Sequence, residues 1–240
     1  PFQEWSGDCL QGRAKESPHF PESAKEVKEG ALKNDEKLPV IRMDFMFRVT
    51  TNDDAKLHKM VDDVPKTAKS KVPVLCAIES RKKSGIAMVL NDKSGKNRYA
   101  VTALAGWMRE KGYGSGGAIL QCNQEEAIMG IRKGVMSEIA NLTPREAPLE
   151  SYESNETVER YHQTIQGLAR TWKNVTEEQF GHHMTTAHKL TSWLIRHCSF
   201  LQDRLQKRRD TGKTAYEDTT GRSYTSQLIP CGEPSWDKRP

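Results

Sequence analysis

At 240 residues the chain is long enough for one well-cored domain with extensions, or for two small domains. Only 35% of its residues are apolar and the mean hydropathy is -0.76, so part of the chain is expected to lie outside a packed core. The longest near-apolar run, Val72 to Ile78, falls far short of the ~20 residues a membrane-spanning helix needs. Pro1-Phe2-Gln3-Glu4-Trp5 has neither the basic start nor the apolar stretch of a secretion signal. The chain opens without methionine, as expected of a piece of a longer one.

Five widely and irregularly spaced cysteines, Cys9, Cys76, Cys122, Cys198 and Cys231, do not make a disulfide framework, and a reducing, intracellular setting is expected. The net charge of +5 permits nucleic-acid binding without requiring it. Two basic clusters stand out: Lys66, Lys69, Lys71, Arg81, Lys82 and Lys83 against Glu79 alone, and Arg196, Arg204, Lys207, Arg208, Arg209 and Lys213 against Asp203 and Asp210. Either is a solvated face or a surface that meets phosphates.

Residues 10 to 37 mix Lys, Glu, Ser and Pro without apolar periodicity, which predicts a tail or linker. Val40 to Phe47 predicts a buried strand ending at the polar Thr50-Thr51-Asn52-Asp53-Asp54. Val72 to Ile78 and Ile86 to Leu90 predict two more strands, joined at Lys82-Lys83-Ser84-Gly85, so the first three form an antiparallel ladder. Tyr99 to Lys111 places Val101, Leu104, Trp107 and Met108 at helical spacing, and Ala118 to Cys122 predicts a fourth strand. Gln124 to Ala140 is an amphipathic helix, Pro144 and Pro148 predict a loop, and further helices are expected over Ser154 to Lys173 and Thr186 to Lys207. The fold class is therefore α/β with a mixed sheet.

Three positions carry chemistry. Asp44 is a carboxylate inside an apolar strand, costly to bury without a partner, or else a charge facing solvent at a strand end. Asn123 directly follows the fourth strand, where ligands sit in α/β sheets and where an Asn also caps helices. Glu159 flanks the apolar stripe of its helix on a row with Asn155, His162 and Gln166. Between Asn123 and Glu159 lie 35 residues.

In Met43-Asp44-Phe45, Leu120 to Glu125 and Ser154 to Arg160, the chain resembles the catalytic core of retroelement integrases, most closely those of copia-like retrotransposon polyproteins. Trp193 to His197, Gly212 to Glu217 and Pro230 to Glu233 continue the resemblance, and Trp5 to Cys9 with Pro18-His19 resembles the end of the family's zinc-binding segment. The resemblance implies an RNase H-like fold, with three antiparallel strands first and polar extensions at both termini. It divides the chain into a zinc-segment remnant and linker over 1–33, a catalytic-core-like domain over 34–210 and a C-terminal extension over 211–240. It implies Mg²⁺ or Mn²⁺ held by Asp44, Asn123 and Glu159 as the catalytic set of a polynucleotidyl transferase that performs 3′-processing and strand transfer. Asn155, Arg160, His162, Gln163, Gln166 and Arg170 would face DNA. Expected partners are DNA, other polyprotein segments and a second copy of the chain, with no membrane, in cytoplasm and nucleus.

Three residues depart from the family pattern. Asn123 replaces an Asp and so removes one charge, Glu156 replaces a common Gly, and Ser6 replaces a zinc-ligating Cys, so the zinc site is expected to be lost. Glu125 and Glu126 lie beside Asn123 as possible substitutes. The sequence thus predicts an integrase-like, nucleic-acid-binding domain with impaired catalysis. The alternatives are a non-enzymatic DNA-binding or assembly module on the same scaffold, and an unrelated α/β domain.

Overall fold

The computed structural model describes residues 38–49, 71–147, 152–184 and 188–226, with the side chains of 47–49, 71 and 152–155 outside that description. The Ser6, Cys9 and His19 segment, Lys66, Lys69 and the Pro230 to Glu233 stretch therefore lie outside the described residues.

Five strands form one mixed sheet: β1 (Val40–Val49), β2 (Lys71–Glu79), β3 (Gly85–Val89), β4 (Ala118–Cys122) and β5 (Leu142–Glu146). Their order across the sheet is β3-β2-β1-β4-β5. β1, β2 and β3 pair antiparallel as the apolar runs and the turn predict, whereas β4 and β5 join on the other side in parallel. The helices are α1 (Arg98–Glu110), α2 (Tyr113–Gly116), α3 (Glu126–Glu138), α4 (Tyr152–Phe180), α5 (Leu190–Leu205) and α6 (Ala215–Thr220).

Strand alternation separates two cores. Ile41, Met43 and Phe45 of β1 point to the side packed by Leu104 and Met108 of α1 and by Ile128, Ile131 and Val135 of α3. Met46, with Val74, Cys76 and Ile78 of β2, points to the other side, packed by Val158, Tyr161 and Ile165 of α4 and by Leu194, Ile195 and Cys198 of α5. Arg42 and Asp44 share the parity of Met46, so they belong to the α4 face.

Three local expectations need correction. Pro144 does not make a loop: Leu142 to Glu146 is an edge strand, where a missing N–H can be tolerated. α4 runs on to Phe180 instead of stopping at Lys173, with buried Thr176 donating its hydroxyl to the Trp172 carbonyl at 2.7 Å. α5 begins at Leu190, not Thr186. Among the described residues no helix is long and apolar enough to cross a membrane, and Cys76, Cys122 and Cys198 are buried free thiols.

Candidate active site and its electrostatics

The parallel pairing of β1 with β4 aligns Met43 with Cys122. One residue further along each strand, Asp44 and Asn123 meet: the Asn123 Nδ2 donates to Asp44 Oδ1 at 3.3 Å. The same carboxylate oxygen accepts the Phe45 backbone N–H at 2.8 Å. At its other end the Asn123 side chain accepts the Glu125 backbone N–H through Oδ1 at 3.2 Å, an Asx turn that leads into α3. The capping alternative for Asn123 is thus close to what this residue does locally, while its amide also reaches across to Asp44.

α4 closes the cleft from the other side. Buried Val158 lines it together with Arg42, Asp44, Gln121, Asn123 and Ala147. The Arg42 Nη1 donates to Thr157 Oγ1 at 3.0 Å and so ties β1 to the turn that precedes Glu159. Glu159 is exposed. Its charge is felt at Asp44: burial raises the Asp44 carboxyl above its ordinary value, the Phe45 N–H pulls it back, and the Glu125 and Glu159 carboxylates push it up while Lys93 pulls it down.

Lys93 is the residue that local sequence patterns do not reveal. It lies in the polar connection between β3 and α1, forms an ion pair with Glu125, and stands 5.0 Å from the centre of the Phe45 ring. Glu125 is therefore already engaged, and Glu126 is exposed at the start of α3.

The residues expected to face DNA differ in setting. Arg160 is exposed and paired with Glu156 one turn earlier, and Gln163 and Arg170 are exposed. Gln166 is half-buried, and so is His162, whose Nε2 is buried without a hydrogen-bond partner and whose pKa is lowered by burial to about 4. Asn155 belongs to α4, and its side chain lies outside the described residues. Of the second basic cluster, Arg204 pairs with Glu110 and Asp203, and Arg208 with Asp210 and Asp218, so two of its six cations are neutralised within the fold.

Magnesium takes hard oxygen ligands in a near-octahedral shell, and two such ions need several converging carboxylates. The donor set here does not fit that demand. Asn123 turns its amide nitrogen, not its oxygen, toward Asp44; one Asp44 oxygen carries two N–H donors; and Glu125 is held by Lys93. Among the described residues no group of three or more His, Cys, Asp and Glu side chains is placed to hold a metal ion.

The sheet order with helices on both faces is the RNase H-like fold of integrase catalytic cores. The HTLV-2 integrase catalytic core domain in complex with magnesium, in its trimeric form, is similar over 76% of this chain and 98% of that one, with a TM-score of 0.50 and 10% identity. A chain of the simian T-cell lymphotropic virus intasome in complex with PP2A regulatory subunit B56 gamma is similar over 84% of this chain and 61% of that one, with a TM-score of 0.51 and 11% identity. At these identities the likeness establishes the fold. No protein-family model matches the chain, and no curated protein matches it.

Proposed function

We propose that this chain is a DNA-binding, integrase-like domain of a copia-like retrotransposon polyprotein in which Mg²⁺-dependent 3′-processing and strand transfer are impaired. One observation carries this reading. On a fold shared with integrase cores, Asp44, midway along β1, and Asn123, just past the end of β4, meet while the Glu159 carboxylate on α4 acts electrostatically on Asp44, but the middle member offers an amide N–H where a carboxylate is needed. Asp44, Asn123 and Glu159 are the proposed remnant of the catalytic set. Arg160, Gln163 and Arg170, exposed on α4, are the side chains we assign to a DNA backbone, and Arg81, Lys82, Lys207, Arg209 and Lys213 add exposed positive charge elsewhere on the surface.

Phosphate contacts of this kind give weak sequence selectivity and strong salt dependence. Fluorescence anisotropy with labelled duplex DNA should show binding that weakens steeply between ~50 and ~200 mM salt. A strand-transfer assay with Mg²⁺ or Mn²⁺ should show little or no product. Binding insensitive to salt, or efficient strand transfer by the native chain, would overturn the reading.

A second reading, an assembly module, draws on Trp193. This side chain is 45% exposed and stacks on His197 with ring centres 4.6 Å apart, an apolar step on the outer side of α5. Light scattering across protein concentration separates the two: self-association lost in Trp193→Ala, without DNA binding, favours assembly.

A further inference from the structure

We infer that the carboxylate cleft is closed to divalent cations by the chain's own donors, with the Asn123 amide and the Lys93 ammonium supplying at Asp44 and Glu125 the positive partners a metal ion would supply. The inference takes its cleft from the proposed function and deepens it, because a site closed in this way lets the domain hold DNA without a divalent ion.

The orientation of Asn123 is fixed from both ends. Its Oδ1 accepts from the Glu125 N–H at 3.2 Å, and its Nδ2 donates to Asp44 Oδ1 at 3.3 Å. Reversing the amide would set two oxygens against each other at Asp44 and two N–H groups against each other at Glu125, and both contacts would become repulsive. An amide nitrogen has no lone pair to give a cation, so in this orientation Asn123 is no ligand.

Lys93 occupies a second anion of the cleft, Glu125, while Glu159 stays exposed on α4. Its ion pair with Glu125 removes the carboxylate best placed to replace the absent Asp, and its ammonium also lies over the Phe45 ring, next in sequence to Asp44. The loop that delivers it is anchored twice just beyond the lysine. Asn97 caps α1 by accepting the Ala100 N–H at 3.1 Å, and Gly95 packs directly on the backbone of α3 at Gly130. A divalent ion entering the cleft would have to displace an anchored ammonium, turn a doubly bonded amide, and shed its own water.

The test uses Mn²⁺ as the probe, titrated into the full chain and followed by the loss of its free electron paramagnetic resonance signal. Native protein and Asp44→Asn should remove equally little Mn²⁺ up to millimolar concentration. Asn123→Asp combined with Lys93→Met should gain a site about tenfold or more tighter, abolished by adding Glu159→Gln. Circular dichroism establishes that each variant is folded, and the native measurement stands even if the double variant is not.

Stoichiometric Mn²⁺ binding by the native chain that Asp44→Asn removes would overturn the inference. So would a folded double variant that gains no site. DNA anisotropy measured in EDTA separates this outcome from the proposed function: absence of DNA binding sinks the function, whereas Asp44-dependent Mn²⁺ binding sinks only the closure of the cleft.

Discussion

Gly130 of α3 lies so close to Gly95 of the β3–α1 connection that a Cβ on Gly130 would stand 2.6 Å from the Gly95 Cα and 2.8 Å from its carbonyl oxygen. Both neighbours are backbone, so no rotamer change can relieve the clash. Gly130→Ala would favour helix formation by about 1 kcal/mol through propensity alone. The overlap should outweigh that gain and leave a net loss of about 1–2 kcal/mol, with faster amide exchange over residues 91–97 as the loop carrying Lys93 lifts away. Urea denaturation with hydrogen exchange measures both, and a Gly130→Ala protein more stable than the native chain would show that the close approach is not required.

Buried charge gives a second prediction. The Lys111 ammonium and the Asp203 carboxylate meet at 2.6 Å with side-chain exposures of 0% and 1%, and Ser84 donates to the other Asp203 oxygen at 2.7 Å. This pair joins the end of α1 to the end of α5, with the Tyr216 ring 4.5 Å from the ammonium. Asp203→Ala leaves the buried ammonium only the more distant Glu110 carboxylate, 3.8 Å away, and should cost about 3 kcal/mol. Lys111→Met with Asp203→Leu removes both charges and should recover most of it. A single variant that melts with the native chain would contradict this account of the contact.

Local patterns in the sequence carried much of this fold and less of its cleft. Short continuous apolar runs mark β1, β2 and β3 because each strand buries both faces against helices that are themselves periodic. β5 escapes the same logic because an edge strand with Pro144 in it, and with exposed residues at Thr143 and Pro144, reads as a turn. The meeting of Asp44 and Asn123 depends on a parallel register set between residues about 80 apart, which no local pattern encodes. Lys93 and Arg42 are ordinary cations in their own neighbourhoods, and only tertiary packing brings one to Glu125 and the other to Thr157.

The turn between β2 and β3 contains Lys83 at φ 61°, in the left-handed region that lysine adopts at a cost of roughly 1 kcal/mol. Its side chain is half-buried, and burial lowers its pKa below the usual lysine value, so keeping the charge there is a further cost. Lys83→Gly relieves both and should raise stability by roughly 1 kcal/mol after the larger backbone entropy of glycine is subtracted. A lower melting temperature for Lys83→Gly would mean that the lysine stem contributes more by packing than its conformation costs.

His162 is one group that makes the fold sensitive to acid. Its half-buried ring has an unpartnered Nε2, and burial lowers its pKa from 6.5 to about 4. At neutral pH the imidazole is neutral in both folded and unfolded chains and costs nothing by protonation. As pH falls through 6.5 the unfolded chain takes up the proton first, so the folded state loses relative stability progressively until the folded ring also protonates near pH 4. The full loss is about 3 kcal/mol at most, and less to the extent that the partly exposed ring remains solvated. Replacing His162 with Gln removes the titrating group, so the variant should hold its stability better than the native chain between pH 6.5 and 4, whatever constant offset the substitution introduces. Urea midpoints taken across that interval test it: parallel pH profiles for the two proteins would show that His162 does not govern acid unfolding, whereas profiles that diverge below pH 6.5 assign the loss to this ring.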